Sequence, residues 1–180
     1  MTTGSAVRRV VIGVGNEYRC DDGFGPLVIA ELAGRRTREP ALAAADLRTS
    51  DGEPARLMEL WAGADLAVVV DAVHDGGDVP GRTYELVLDE VDGLAGNAAA
   101  SSHGIGLGDT VALARALDRL PRRLVVLAVS GRAFGFGVEL TPQVAAMVEP
   151  VARRATELVT EAGSEPADDI TPRIADRSPS

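Results

Sequence analysis

The hydrophobic residues of this chain form short β-branched runs that alternate with segments of helical spacing. The runs rich in Val, Ile and Leu predict strands at Val7–Val14, Ala45–Thr49, Leu66–Val70, Thr83–Leu88 and Leu124–Val129. Apolar positions three and four residues apart predict helices at Phe24–Arg36, Glu53–Trp61, Leu107–Leu120 and Thr141–Thr160, the last kinked or broken near Pro150. This alternation predicts an α/β three-layer sandwich, with a mainly parallel twisted sheet of about five strands flanked by helices.

The length of 180 residues suits one domain, which we place at residues 1–162. Residues 163–180 are rich in Asp, Pro and Ser and show no apolar periodicity. We expect this segment to be a disordered tail.

Composition and charge exclude several function classes. A net charge of −9 argues against nucleic-acid binding, which needs a concentrated basic surface. No apolar run approaches the length of a membrane span, and we see no secretory signal segment, so we expect a cytoplasmic protein. The single cysteine, Cys20, excludes an internal disulfide or a multi-cysteine zinc site and suits a reducing compartment.

Candidate chemistry follows the predicted strands, where ligands gather in open α/β sheets. Asp21 and Asp22 follow the first strand, Asp71 follows Val70 of the central strand, and His103 precedes a predicted helix. The sequence therefore predicts that carboxylates and one histidine meet at one edge of the sheet.

Several of these residues have a simpler interpretation. Asp21 and Asp22 could cap the helix that begins near Gly25. His103 could be a loop hydrogen-bonding residue, although neutral imidazole is also the form that binds metals. His74 lies between polar and glycine residues and is interpreted as a solvated loop residue without a role.

Two further motifs are weak. Gly13 and Gly15 start a dinucleotide-binding fingerprint, but Tyr18 stands where its third glycine belongs, which argues against nucleotide binding. Cys20 could be a thiol nucleophile with His103 as base and Asp71 as orienting residue, or simply a buried apolar residue.

Three motifs together resemble one protein family. They are GVGNEYRCDDGFG at residues 13–25, the strand that ends in Asp71-Ala72-Val73, and SSHGIGLGDTVALARAL at residues 101–117. A later stretch, Gly137-Val138-Glu139-Leu140-Thr141-Pro142, adds to the match. From about Val7 to Leu158 the chain resembles the hydrogenase maturation proteases, endopeptidases that trim the C-terminus of nickel-containing hydrogenase large subunits.

The resemblance implies a site of Asp22, Asp71 and His103, which would contact nickel already held by the large-subunit precursor and would serve catalysis. Nickel would then come with the substrate, and no organic cofactor is expected. Two carboxylates and an imidazole suit a first-row divalent ion. Either a carboxylate or the ion's Lewis acidity could activate the attacking water. No HExxH motif of zinc peptidases is present.

One loop departs from the family pattern. Many relatives carry a DGGT-type loop after the second strand, where this chain has Asp51-Gly52-Glu53-Pro54. If that loop binds the substrate, its different residues alter which large subunit is accepted. Two other functions remain open: a non-catalytic metal-checking adaptor on the same fold, and a small hydrolase that uses Cys20.

Overall fold

A single five-stranded sheet forms the centre of the protein. The computed structural model describes residues 7–74, 79–89 and 107–164. Its strands are β1 (Arg9–Val14), β2 (Asp46–Ser50), β3 (Leu66–Val73), β4 (Thr83–Asp89) and β5 (Arg123–Ser130). They are ordered β2-β1-β3-β5-β4, with all neighbours parallel except β4, which runs antiparallel to β5. The predicted mainly parallel sheet is confirmed.

Helices cover both faces of this sheet. They are α1 (Phe24–Arg35), α2 (Pro40–Ala43), α3 (Pro54–Trp61), α4 (Gly108–Ala116), α5 (Pro142–Ala145) and α6 (Val148–Ser164), and a 3-10 turn at Cys20–Gly23 precedes α1. On one face, α1 and α6 pack against alternate strand residues such as Val68. On the other face, α3 and α4 pack against their neighbours, such as Val69. This arrangement is the predicted three-layer sandwich.

The strand order creates a crevice between β1 and β3. After β1 the chain passes through α1 to β2 on one side, and then through α3 to β3 on the other side of β1. Because the connections diverge on opposite faces, the loops after β1 and β3 leave an opening at the carboxyl edge. This is the place where open α/β sheets bind their ligands.

The last predicted helix is broken earlier than expected. A single turn ends at Ala145, and α6 starts at Val148, so the break precedes Pro150. Pro150 lies within the first turn of α6, where a missing N–H costs no intrahelical hydrogen bond. The predicted domain limit at residue 162 also falls within α6, which continues to Ser164; residues 165–180 lie outside the described part.

Within the described ranges, no helix has both the length and the apolar character needed to cross a membrane.

Close backbone contact between β1 and α1 depends on glycine. A Cβ atom on Gly25 would lie 2.2 Å from the Val14 carbonyl oxygen and 2.8 Å from that of Val70. These are main-chain atoms of two central strands, so they have little freedom to move. Gly25 therefore allows the start of α1 to lie directly against the ends of β1 and β3.

We expect Gly25→Ala to lower the free energy of unfolding by about 3 kcal/mol, because the added methyl group meets backbone atoms. Gly34→Ala is the matched control in the same helix, since a Cβ at Gly34 meets no atom within 4 Å. It should stabilise the protein by about 0.5 kcal/mol. Urea unfolding measures both changes, and equal effects of the two substitutions would contradict the packing argument.

Candidate active site

A cavity of about 510 Å³ opens at the carboxyl ends of β1 and β3. Its walls come from the loops after β1, β2 and β3 and from the residue before α4. The residues that line it are Val14, Gly15, Asp22, Asp51, Gly52, Asp71, Ala72, Val73, His74 and Leu107. Two of the three predicted site residues, Asp22 and Asp71, therefore lie in the wall of the same cavity.

Asp71 reaches the cavity because β3 is longer than β1. Pairing between these strands ends at Gly13 and Val70, while β3 continues beside β5 from Asp71 to Val73. Asp71 thus lies at the first position of β3 that β1 no longer covers. Its residue surface is only 7% exposed, so the carboxyl group is largely shielded from bulk water.

Asp22 is placed by the tight loop after β1. The backbone N–H of Asn16 donates to Oδ2 of Asp22 at 3.1 Å. Gly15 has a φ of +131°, and a Cβ there would lie 1.9 Å from the Asp22 carbonyl oxygen. The glycine that resembled a nucleotide-binding fingerprint instead lets this loop fold over Asp22, which remains half-buried.

The ionisation of Asp71 depends on its burial and on its neighbour Asp22. Burial and, to a smaller extent, the negative charge of Asp22 together raise the pKa of Asp71 from 3.8 to about 7, while a backbone hydrogen bond at Ala72 acts in the opposite direction. Asp71 therefore changes its protonation near neutral pH. A divalent cation between these carboxylates would stabilise their charged forms.

Asp21 has a different role from its neighbour. It is fully buried, and its carboxylate accepts hydrogen bonds from the backbone N–H groups of Arg132, Ala133 and Thr141 at 2.7–2.8 Å. The Thr141 hydroxyl also donates to it, at 3.2 Å. Although burial favours its neutral form, these donors hold the pKa of Asp21 below its usual 3.8. Neither Asp21 nor Asp22 caps α1, whose N-cap is Gly23 without a side-chain hydrogen bond.

The third predicted residue, His103, lies outside the described residues, as does the serine pair before it. Within the described ranges, no three His, Cys, Asp or Glu side chains are grouped so as to hold a metal ion. Asp22 and Asp71 supply two hard oxygen ligands for a metal ion. The assignment of His103 as the third ligand stays a prediction.

Two cavity residues were not selected from the sequence. His74 lines the cavity, and its ring meets that of Phe134 edge-on at a centroid distance of 6.0 Å. His74 is an exposed residue outside the strands, as the sequence indicated, but it directly follows β3 at the same edge as Asp71 and therefore lies at the cavity. Its position after a buried strand was the signal that could have identified it.

Asp51 is the other such residue, and it belongs to the loop that departs from the family pattern. Asp51 and Gly52 line the cavity, while Glu53 caps α3 by accepting from the N–H groups of Ala55 and Arg56. Gly52 has a φ of +90°, which shapes the turn between them. This loop therefore both caps α3 and forms part of the cavity wall.

Cys20 is not among the cavity-lining residues. It is half-buried, and a Cβ on Gly137 would lie 2.7 Å from its Sγ atom. The thiol thus packs against the segment that Asp21 holds. This placement favours the packing role of Cys20 over the nucleophile.

Comparison with known proteins decides the family. The model of the family described as "Hydrogenase maturation protease" (HycI) matches residues 28–158. This chain belongs to the hydrogenase maturation protease family. The predicted resemblance and the predicted enzyme class are confirmed, and the protein is an endopeptidase of hydrogenase maturation rather than a non-catalytic adaptor.

Individual relatives agree with this assignment. The "Hydrogenase expression/formation protein HoxM" of Azotobacter vinelandii is 34% identical over 157 residues, covering 86% of this chain and 73% of the relative. The "Hydrogenase 2 maturation protease" of Escherichia coli K12 is 28% identical over 159 residues, covering 88% and 94% of the two chains.

A solved structure shows the same fold. The hydrogenase maturating endopeptidase HybD from Escherichia coli superposes with a TM-score of 0.66 at 24% identity, covering 87% of this chain and 94% of that one. The protease therefore shares the sheet and the crevice topology of a known endopeptidase.

We expect Asp21→Asn to lower the free energy of unfolding of the protease at pH 7 by about 2–3 kcal/mol, because an amide cannot accept all of these buried N–H groups. Since folding lowers the pKa of Asp21, the ionised group stabilises the protein above about pH 4, and this contribution is lost as the pH falls further. The difference between wild type and variant should therefore shrink in acid, as followed by urea unfolding. Asp22→Asn is the control, with an expected change below about 1 kcal/mol; equal losses in both variants would contradict the separate roles.

A second expectation concerns the titration of Asp71. Carboxyl ¹³C NMR should give it a pKa of about 7, and Asp22→Asn should lower that value while leaving it above 3.8, because burial remains. Since the folded-state pKa is raised, the contribution of Asp71 to stability is complete below about pH 4 and is lost as the pH rises towards 7. Asp51→Asn is the control and should leave the pKa of Asp71 unchanged. A value near 4 in the wild type would contradict this description of the site.

Proposed function

We propose that the protease removes a C-terminal peptide from a nickel-loaded hydrogenase large-subunit precursor, and that it recognises the nickel held by this substrate. The observation that supports the proposal most is the convergence of Asp22 and Asp71 in one cavity at the β1–β3 crevice. Two carboxylates that line one cavity are better suited to bind a divalent cation than to bind an uncharged peptide without one.

The ion arrives with the substrate in this proposal. Asp22 and Asp71, with His103 as the third ligand, contact it from one side and leave its other positions to the precursor. The substrate therefore gains affinity through an ion that an unloaded precursor lacks. Without the ion, burial and the charge of Asp22 disfavour ionisation of Asp71, whose pKa of about 7 leaves it partly protonated near neutral pH.

Hydrolysis requires that water lose a proton while the amine that leaves gains one. The new C–O bond forms at the scissile carbonyl, the C–N bond breaks, and the proton from water ends on the new amino group. An oxygen of Asp22 or Asp71 that does not contact the ion can carry this proton, because both carboxylates line the cavity. Nickel contributes by polarising the carbonyl or the water.

The loop of Asp51 and Gly52 forms part of the wall of the same cavity. A peptide that reaches the two carboxylates passes this wall. We therefore assign to it a role in selecting the large subunit that is accepted.

The dependence on nickel is tested with purified components. Nickel-loaded precursor should be shortened at its C-terminus, as seen by intact-protein mass spectrometry, whereas nickel-free precursor with chelator should be processed at least tenfold more slowly. The physical reason is that nickel-free precursor lacks the shared ion through which the protease gains affinity for its substrate. Equal processing of both forms would contradict nickel recognition and leave an endopeptidase that selects its substrate by shape.

The proposed ligands are tested in the same assay. Asp22→Ala, Asp71→Ala and His103→Ala should each reduce processing of the loaded precursor by about a hundredfold or more, with circular dichroism confirming that each variant is folded. Cys20→Ala is the control, because the thiol lies outside the cavity lining, and it should stay within a few-fold of wild type. Loss of turnover in a folded Cys20→Ala protein would instead support thiol chemistry.

A further inference from the structure

Three large apolar side chains beside the cavity are exposed to solvent. Phe136 is 97% exposed, Val138 68% and Tyr18 63%. We call these three residues the apolar rim. Single exposed apolar residues are common on protein surfaces, but a group of three on adjoining segments marks an interaction surface.

The apolar rim is held by backbone hydrogen bonds. The N–H of Gly137 donates to the Tyr18 carbonyl at 3.0 Å, and the N–H of Cys20 donates to the Gly137 carbonyl at 2.8 Å. These bonds join the segment that carries Phe136 and Val138 to the loop that carries Tyr18. Asp21 binds the same segment through its buried carboxylate, at Ala133 and at Thr141. The rim is therefore organised before any partner arrives, which lowers the entropy lost on binding.

The apolar rim is also continuous with the cavity. Tyr18 lies on the loop between Gly15 and Asp22, both of which line the cavity. On the other segment, Phe134 meets the ring of the cavity residue His74, two positions before Phe136. Both segments that carry the rim therefore either contribute residues to the cavity wall or contact one of its residues.

We propose that the apolar rim is the docking surface for the protein substrate, and that it binds an apolar patch of the precursor beside the segment that is cleaved. The inference rests on the proposed function, since the precursor is the occupant. Carboxylates and backbone make up much of the cavity wall, so the cavity can bury little apolar surface of the precursor. The apolar rim supplies the apolar contact surface that the cavity lacks. The precursor is the occupant because the loop that carries Tyr18 also carries Gly15 and Asp22 of the cavity that the substrate must reach.

The test compares Phe136→Ser and the double variant Phe136→Ser/Val138→Ser with wild type. Interferometry should show binding to nickel-loaded precursor weakened about tenfold for the single variant, and more for the double variant, as expected for loss of a buried aromatic side chain. In the cleavage assay KM should rise by a similar factor while kcat changes less than twofold, because the rim does not touch the reacting atoms. Phe136→Leu should recover much of the binding.

Leu117→Ser is the matched control. Leu117 is 52% exposed and follows α4, which runs from the cavity residue Leu107 towards the opposite edge of the sheet. This variant should bind and cleave like wild type.

The outcomes separate this inference from the proposed function. If wild type cleaves the loaded precursor while Phe136→Ser and the double variant keep their Kd and KM, the docking surface is refuted and the proposed function stands. If wild type binds but does not cleave, the proposed function fails, and the Kd of the rim variants still decides the docking surface. In a third outcome, wild type forms dimers in sedimentation, Phe136→Ser abolishes them, and the Kd for the precursor is unchanged. The rim would then be an interface between copies of this chain, and the inference would be overturned. Absence of any wild-type binding would overturn both.

Discussion

The buried carboxylate of Asp21 joins the loop that carries Asp22 to the segment from Arg132 to Thr141. It binds three backbone N–H groups and one hydroxyl on the segment from Arg132 to Thr141. Its own backbone N–H donates to the carbonyl of Ala133, also on that segment. Because a buried N–H group without a partner is costly, this carboxylate determines how the two segments lie against each other. The placement of Asp22 and of the apolar rim depends on that arrangement.

Two adjacent aspartates thus perform different tasks because their surroundings differ. Asp21 is surrounded by donors that favour its charge, so it is a structural anion with a lowered pKa. Asp22 receives one backbone donor and faces the cavity, where its charge acts on Asp71. The same residue type provides rigidity at one position and chemistry at the next. The raised pKa of Asp71 is typical of functional carboxylates in enclosed sites.

The site also depends on the topology of the sheet. The strand order reverses at β1, with β2 on one side of it and β3 on the other, and this leaves an opening into which the longer β3 carries Asp71. Gly25 allows α1 to begin directly against both strand ends. Close packing at this point therefore brings a loop carboxylate and a strand carboxylate together, although they are far apart in the sequence.

The sequence by itself determined the strands, most of the helices, the mainly parallel sheet, and the positions of Asp22 and Asp71 at its carboxyl edge. These features follow from local periodicity and from the rule that parallel strands end at one edge. The family was also legible, since its motifs are contiguous stretches of residues. The separate roles of Asp21 and Asp22 were not, because the donors to Asp21 come from residues more than one hundred positions away. The packing of Cys20 against Gly137 and the exposure of Phe136 likewise depended on tertiary structure. Burial and long-range hydrogen bonding are properties of segments brought together by folding, and no local pattern encodes them.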